Sequence, residues 1–282
     1  MHTSLNEVPI DSSDPAHSIR ALRSLPAGFR RALAGLAFSN GLPAAIGASV
    51  CLASSRALEA EPAGRFALVA ACGAFVVYGL DRLRDTERDR TTSPLRTEFV
   101  LRHRLPLSVS LALAALILVA ALCLIPREAA VLCVAVGGIG LLHRRLKGWA
   151  ALKALYVSAA WVAICAGLPG IVVGFDARVG WLAGVLALAF GANLIASNVG
   201  DDESRWLRER PESALRVARA MAVLGVGVAL SSPPELRALA WIPLAETLAL
   251  LRFRQSEHYG ELAVDGALLV GALTALIHQS LV

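Results

Sequence analysis

The stretch VGWLAGVLALAFGANLIASNV, residues 179–199, runs for 21 residues without a charged side chain. At a rise of about 1.5 Å per residue, a helix of this length crosses the roughly 30 Å hydrocarbon core of a bilayer. Its amide and hydroxyl residues, Asn193, Ser197 and Asn198, all stand in its last turns. The stretch predicts a membrane-spanning helix with polar groups near one end, and such groups normally face a bundle interior or a wet cavity.

Similar apolar blocks recur on both sides of this stretch along the 282-residue chain. Hydrophobic residues make up 56% of the sequence, charged residues only 17%, and the mean hydropathy is +0.60. Soluble domains carry roughly a quarter charged residues, so a cytosolic globular protein is excluded. We predict an all-α, polytopic membrane protein with nine transmembrane helices in a single bundle around a central cavity. The predicted spans are about 32–53, 66–80, 107–125, 128–142, 154–175, 179–199, 214–231, 235–251 and 261–281.

The distribution of lysine and arginine predicts the orientation of these spans. With the N-terminus in the cytoplasm, 22 of the 27 basic residues fall in cytoplasmic segments. The other five lie on the opposite side: Arg56, Arg65, Arg127, Arg178 and Arg237. The positive-inside rule then predicts a cytoplasmic polar tail at residues 1–27, a transmembrane domain at residues 28–282 and a C-terminus on the opposite face. A bacterial plasma membrane is the expected location, and a nucleic-acid partner is not expected despite the net charge of +5.

An acidic cluster follows the second span, in the sequence YGLDRLRDTERDR of residues 78–90. Asp81, Asp85 and Asp89 are spaced i, i+4, i+8, so on a continuing helix they share one face. Carboxylates on one stripe repel each other unless a cation lies between them, and Mg²⁺ held by carboxylates and substrate phosphates is a common solution. The alternative is a solvated helix end with ion pairs such as Asp85–Arg88.

A second acidic cluster, Asp201, Asp202 and Glu203, follows the sixth span on the same predicted membrane face. Because both clusters end helices on one side of the membrane, we expect them to converge on one metal–diphosphate site. The arginines that flank the first cluster, such as Arg82, suit a phosphate group, because guanidinium pairs with phosphate in bidentate geometry.

These features together resemble the UbiA superfamily of intramembrane prenyltransferases. Asp81-Arg82-x-x-Asp85 resembles the end of that family's first motif, and Asp201-x-Glu203 resembles the start of its second motif. The basic connection that contains Arg144, Arg145, Lys147 and Lys153 resembles the family's fourth-to-fifth connection. Ser39-Asn40-Gly41-Leu42-Pro43 resembles its first cavity-lining helix.

The resemblance implies magnesium-dependent transfer of a prenyl group from a prenyl diphosphate to an aromatic, quinone-precursor or other lipophilic acceptor. It implies catalytic roles for Asp81, Asp85 and Asp201, and cavity-lining roles for Asn40, Asn193, Ser197 and Asn198. The implied magnesium ligands are Asp81, Asp85, Asp89, Asp201, Asp202 and Glu203. The implied diphosphate-binding residues are Arg82, Arg144, Arg145, Lys147, Lys153 and Arg205.

The chain departs from the family pattern at two positions. Val77 stands where the first motif has Asn, and Arg205 stands where the second motif closes with Asp. Arg205 is expected to contact the diphosphate directly in place of a metal ligand. Three alternatives stay open: a non-catalytic relative that binds an isoprenoid lipid, a transporter with an acidic ion path, and a CDP-alcohol phosphatidyltransferase, whose Asp-Gly and Ala-Arg pairs are absent from the acidic motif. The intramembrane acids Glu246 and Asp265 are predicted either to line the cavity or to pair within the bundle.

Overall fold

The computed structural model describes residues 28, 35, 38–86, 94–142, 150–200, 209–253 and 259–281. Within these residues the chain is helical and has no strand, which confirms the all-α class. The α-helices are α1 (Gly41–Ala57), α2 (Ala63–Arg84), α3 (Pro94–Arg102), α4 (Arg104–Leu122), α5 (Arg127–Leu142), α6 (Ala150–Cys165), α7 (Gly167–Val173), α8 (Ala177–Gly200), α9 (Pro211–Ser231), α10 (Trp241–Leu251) and α11 (Asp265–Leu281). A 3₁₀ segment (Pro234–Ala240) precedes α10, and a π-helical segment (Tyr259–Val264) precedes α11.

Six helical stretches of the described residues are long and apolar enough to cross a membrane. They are Ala63–Arg84, Arg104–Leu122, Ala154–Val173, Ala177–Val199, Pro211–Ser231 and Leu262–Leu281. These stretches indicate a multi-pass membrane protein. The count of nine spans stays a prediction, because α1, α5 and α10 have only 17, 16 and 11 residues.

The outer surface of the bundle is apolar, as a lipid-facing surface must be. Within α4 only Ala121 is buried, while Leu105, Leu116 and Val119 are 76%, 68% and 62% exposed. Soluble monomers seldom expose large apolar residues in a continuous patch. The exposure of α4 therefore fits a helix whose surroundings are hydrocarbon.

Close packing of a few helix pairs holds the interior together. Helix α1 packs against α2 and α11, α8 packs against α6 and α9, and α10 lies between α9 and α11. Two glycines, Gly47 and Gly271, allow the backbones of neighbouring helices to come into close contact. A Cβ at Gly47 would lie 2.9 Å from the carbonyl oxygen of Ala70, and one at Gly271 would lie 2.6 Å from that of Trp241. Small residues allow this kind of backbone contact in membrane bundles.

Prolines interrupt two of the predicted spans. Helix α6 ends at Cys165, which is four residues before Pro169. The 3₁₀ segment gives way to α10 after Ala240, three residues before Pro243. A proline ring clashes with the carbonyl group four residues earlier and removes one hydrogen bond, so a helix bends or breaks there. The fifth and eighth spans are therefore composite.

Side-chain contacts establish which helix ends lie together. Near the ends of α1 and α11, Gln279 Nε2 donates to the carbonyl oxygen of Ala53 at 3.1 Å, so these two helices run in the same direction. At the other end of the bundle, the start of α1 faces the last turns of α2, where Asn40 lies beside Gly79. We call this second end, with Asn40, Asp81 and Asp265, the polar end.

Candidate functional site

The last turn of α2 carries the first acidic motif. The backbone N–H of Asp85 donates to the carbonyl oxygen of Asp81 at 2.9 Å, so the two residues stand one helical turn apart. Asp85 caps the helix, which ends at Arg84, and it is only 6% exposed. Of the three carboxylates predicted to share one helix face, the structure describes Asp81 and Asp85. Asp89 lies outside the described residues, so the third position stays a prediction.

Asn40 lies at the start of α1 in the left-handed conformation, with φ of 66°. Asparagine tolerates this conformation better than most residues. Its side chain makes no capping hydrogen bond to α1, and it is 4% exposed against Gly79. Its Oδ1 has no hydrogen-bond partner among the described residues. Asn40 thus brings a buried acceptor against α2 at Gly79, two residues before Asp81 in the sequence, and its role in lining a site stays a prediction.

The polar residues near the end of α8 are turned into the bundle. Asn193 and Asn198 are 5% and 4% exposed, and Ser197 Oγ is buried without a hydrogen-bond partner in the described chain. Asn193 Nδ2 donates to Asp265 Oδ1 at 3.1 Å, which joins α8 to the first residue of α11. The sequence-based prediction that these residues face inward is consistent with their burial.

A second pair of carboxyl groups, Glu246 and Asp265, lies on α10 and α11. Glu246 of α10 is fully buried, and neither of its oxygens has a hydrogen-bond partner among the described residues. It interacts electrostatically with Asp265 and lies beside Asn193. Asn193 thus lies between the two carboxyl groups, and its amide donates to Asp265 Oδ1. We call Asn193, Glu246 and Asp265 the inner polar cluster.

Three aromatic residues connect this cluster to the end of α2. Trp161 Nε1 donates to the hydroxyl oxygen of Tyr78 at 3.1 Å, and Trp161 stacks on Phe190 with ring centroids 5.1 Å apart. Phe190 lies three residues before Asn193, so both stand on the same face of α8. The Tyr78 hydroxyl is within electrostatic range of Asp265, Asp81 and Arg82. The acidic end of α2 and the inner polar cluster are therefore adjacent.

Sequence reasoning assigned no role to Tyr78 or Trp161. Two signals were present in the sequence. Tyr78 precedes Asp81 by three residues and so shares its helix face. Trp161 lies in the middle of the fifth span, whereas interfacial tryptophans lie at span ends.

Several predicted site residues lie outside the described part of the chain. They are Asp89, Arg144, Arg145, Lys147, Asp201, Asp202, Glu203 and Arg205. Lys153 lies within α6, but its side chain is likewise outside the description. The predicted convergence of the two acidic clusters therefore stays a prediction. In the described residues, no three His, Cys, Asp or Glu side chains are grouped so that they could hold a metal ion.

A pocket of about 320 Å³ lies between α1, α2 and α4. Its lining is almost wholly apolar and comprises Ala44, Ala71, Cys72, Phe75, Ser110, Leu113, Ala114 and Ile117. It lies on the lipid side of α2, where α4 is exposed, and so differs from the predicted central cavity. The central cavity stays a prediction.

No protein-family model matches this chain, and no curated protein or solved structure matches it either.

Proposed function

We propose that this protein is a magnesium-dependent intramembrane prenyltransferase of the UbiA type. One observation carries the proposal: the Asp81-Arg82 end of α2 lies next to a buried cluster of amide, carboxyl and aromatic side chains from α6, α8, α10 and α11. A charged rim above a largely apolar interior suits a substrate with a diphosphate head and a hydrocarbon tail. The proposal includes nine spans, a cytoplasmic N-terminus, a central cavity and a bacterial plasma membrane.

Magnesium fits the residues at the end of α2. Mg²⁺ is usually held by one or two carboxylates together with substrate phosphates and water. Asp81 and Asp85 supply two carboxylates one turn apart, and Asp85 is nearly buried. Asp89, Asp201, Asp202 and Glu203 complete the proposed set. When bound, the ions would neutralise charge on the leaving diphosphate.

The basic residues would bind the same diphosphate from the protein side. Arg82 stands between the two acids of α2, and guanidinium groups pair with phosphate in a bidentate manner. Arg144, Arg145, Lys147, Lys153 and Arg205 are the other proposed contacts. Arg205 would supply positive charge where the family pattern has a carboxylate. That charge would neutralise part of the diphosphate directly, in place of a metal ion held by the missing carboxylate.

The aromatic residues would act below the diphosphate, at the reacting carbon. Ionisation of an allylic diphosphate leaves positive charge on the prenyl carbon, and aromatic faces attract cations. Tyr78 and Trp161 lie between the rim and the inner polar cluster. The apolar core farther in, which includes Leu182, Leu186 and Leu268, would exclude water that would otherwise quench the cation.

The test is transfer by the purified protein in detergent. Labelled geranyl, farnesyl and geranylgeranyl diphosphates are incubated with a panel of phenolic, quinol and other lipophilic acceptors, with and without Mg²⁺. The proposal predicts a prenylated product that requires Mg²⁺. Prenyl diphosphate binding without transfer would instead identify an isoprenoid-binding relative, and absence of both binding and transfer would contradict the proposal.

The second candidate function is ion or proton transport, and two observations favour it. Glu246 is fully buried within the bundle, and two composite spans are interrupted near Pro169 and Pro243. Transporters place ionisable groups near the midplane and use broken helices. Ion flux into liposomes that is lost in Glu246→Gln but retained in Asp81→Asn would support transport over prenyl transfer.

A further inference from the structure

The pocket between α1, α2 and α4 has no part in the proposed reaction, and we call it the lipid-side pocket. Small side chains such as Ala71 and Ala114 face each other there and leave a space of about 320 Å³. Its α4 residues, Ser110, Leu113, Ala114 and Ile117, have the spacing of one helix face. Leu113 and Ile117 are 55% and 47% exposed, so the pocket is a groove that opens along α4 toward the hydrocarbon of the bilayer.

The lipid-side pocket lies between the polar end and the middle of α2. A Cβ at Gly79 would lie 2.9 Å from Leu111 Cδ1, so α4 reaches the polar end near Leu111. At the opposite end, Arg65 Nη1 donates to the carbonyl oxygen of Leu124 at 2.9 Å, so α2 and α4 are antiparallel. Phe75, the pocket residue of α2 nearest the polar end, lies about one turn before Gly79. The pocket therefore begins about one turn inside the polar end.

Two exposed arginines stand on the polar side of this pocket. His103, at the start of α4, precedes Ser110 by seven residues and so continues the same helix face. Arg102 and Arg104 flank His103, both are exposed, and neither pairs with a carboxylate among the residues that the structure describes.

The spacing between the arginines and the pocket matches the dimensions of a phospholipid. At a rise of 1.5 Å per residue, Arg104 lies about 9 Å from Ser110 along α4. The headgroup region of a bilayer is roughly 5–8 Å thick on each side of the hydrocarbon core. Arginines at the level of the phosphate groups therefore place the pocket where the acyl chains begin.

We propose that the lipid-side pocket binds one acyl chain of an anionic phospholipid whose phosphate group lies against Arg102 and Arg104. Lipid chains are as apolar as the helix surface, so a preference for one class of lipid must come from the headgroup. Guanidinium groups pair with phosphate, and basic pockets between spans bind anionic headgroups. The inference stands whether or not the protein transfers a prenyl group.

Photo-crosslinking in vesicles tests the site on the full-length protein. The protein is reconstituted in phosphatidylcholine with a trace of phosphatidylglycerol or phosphatidylcholine that carries the same diazirine-bearing acyl chain, and crosslinked peptides are identified by mass spectrometry. We expect phosphatidylglycerol to label residues 71–75 and 110–117 about 25-fold more than phosphatidylcholine, about 5-fold for each arginine. Equal labelling by the two lipids, or labelling spread evenly over the exposed helix faces, would show ordinary lipid contact only and overturn the inference.

Charge variants localise the headgroup. The double variant Arg102→Gln/Arg104→Gln should reduce the ratio of phosphatidylglycerol to phosphatidylcholine labelling to near one. Arg216→Gln/Arg252→Gln is the matched control, since it removes the same charge from exposed arginines of α9 and of the end of α10, and it should leave the ratio unchanged. A ratio that the first variant leaves intact, or that both variants reduce equally, would overturn the assignment.

A second pair of variants tests the chain site. Phenylalanine in Ala114→Phe would fill the pocket and should reduce phosphatidylglycerol labelling of residues 71–75 several-fold. Ala112→Phe is the control, because Ala112 is exposed on the same helix but does not line the pocket, and it should not reduce this labelling. Labelling of residues 71–75 that Ala114→Phe leaves intact would overturn the chain site.

Competition separates a phospholipid from a prenyl diphosphate, which also joins phosphate to an apolar chain. Excess farnesyl diphosphate without Mg²⁺ should leave phosphatidylglycerol labelling of the pocket unchanged, whereas excess unlabelled phosphatidylglycerol should abolish it. Loss of labelling with farnesyl diphosphate would assign the pocket to the prenyl chain and overturn the phospholipid site.

Discussion

The side-chain amide of Asn193 donates a 3.1 Å hydrogen bond to the carboxyl group of Asp265, and so joins α8 to the first residue of α11. The two residues are 72 positions apart in the chain. The bond joins two helices that frame the interior of the polar end, and Asn193 is almost fully buried. Because a buried amide needs a hydrogen-bond partner, the pair has a structural role.

Removal of the acceptor should destabilise the protein. In Asp265→Ala the buried amide of Asn193 loses its partner, and we expect a loss of roughly 1–3 kcal/mol in the free energy of unfolding. Asp265→Asn keeps a carbonyl oxygen at the same place and should retain most of the stability. Thermal unfolding of the two variants in detergent checks this. If Asp265→Ala unfolds at the wild-type temperature, the hydrogen bond is not structural.

The contact between α10 and α11 depends on Gly271. In Gly271→Ala the added methyl group would meet the backbone of Trp241 and Ile242 at 2.6 Å. Such overpacking typically costs about 1–3 kcal/mol. Gly227→Ala in α9 is the matched control, since a Cβ there has no described atom within 4 Å. Unfolding temperatures of the two variants should differ clearly, and equal values would show that α10 and α11 move apart without cost.

The sequence predicts some helices of this structure better than others. Residues 179–199 predict α8 almost to its ends, because an uninterrupted apolar run of this length crosses a bilayer as an α-helix. In the eighth span, Pro243 predicts a kink, but hydropathy does not predict that the residues before it form a 3₁₀ segment.

The site was predicted only in part for a physical reason. Asp81 and Asp85 are four residues apart in one helix, so helical spacing alone relates them. The inner polar cluster joins residues of three helices. Asn193 and Asp265 are 72 positions apart, and no helical spacing relates residues so far apart in the sequence. Glu246 and Asp265 were recognised as intramembrane acids, but their proximity to one another depends on helix packing.

The aromatic pair at the site should influence the rate of prenyl transfer. Trp161→Phe and Trp161→Leu both remove the indole N–H that donates to Tyr78, but only Phe keeps an aromatic face. If that face stabilises cationic charge by roughly 0.5–2 kcal/mol, Leu should reduce the turnover rate about 2- to 30-fold relative to Phe. The rates are measured at saturating substrates on folded protein. Equal rates for the two variants would remove the aromatic face from the mechanism.

Asp176 caps the start of α8 outside the membrane-spanning segments. Its carboxyl group accepts from the Arg178 side chain at 2.9 Å and from the backbone N–H of Val179 at 3.1 Å. The hydrogen bond from Arg178, then that from Val179, lowers the pKa of Asp176 below its ordinary value.

A lowered pKa in the folded state gives stability that is present above the ordinary pKa of aspartate and is lost as the pH falls through the folded value. We therefore expect wild-type protein to be slightly more thermostable than Asp176→Asn near pH 7, where the side chain is fully charged. The difference should vanish in the acid range, below about pH 4. It should also be small, because the pair is exposed and screened by salt. A difference that grows on acidification would contradict the assignment.

The central claim is that the Asp81 end of α2 promotes ionisation of a prenyl diphosphate, and diphosphate release tests it most directly. Purified protein is incubated with geranyl diphosphate and a phenolic acceptor, and inorganic diphosphate is measured with and without Mg²⁺. The account predicts release that requires Mg²⁺, falls at least about 100-fold in Asp81→Asn, as for loss of one electrostatic contact to the transition state, and is unchanged in Glu235→Gln. Release that is absent from the wild-type protein, or equal in Asp81→Asn and Glu235→Gln, would contradict it.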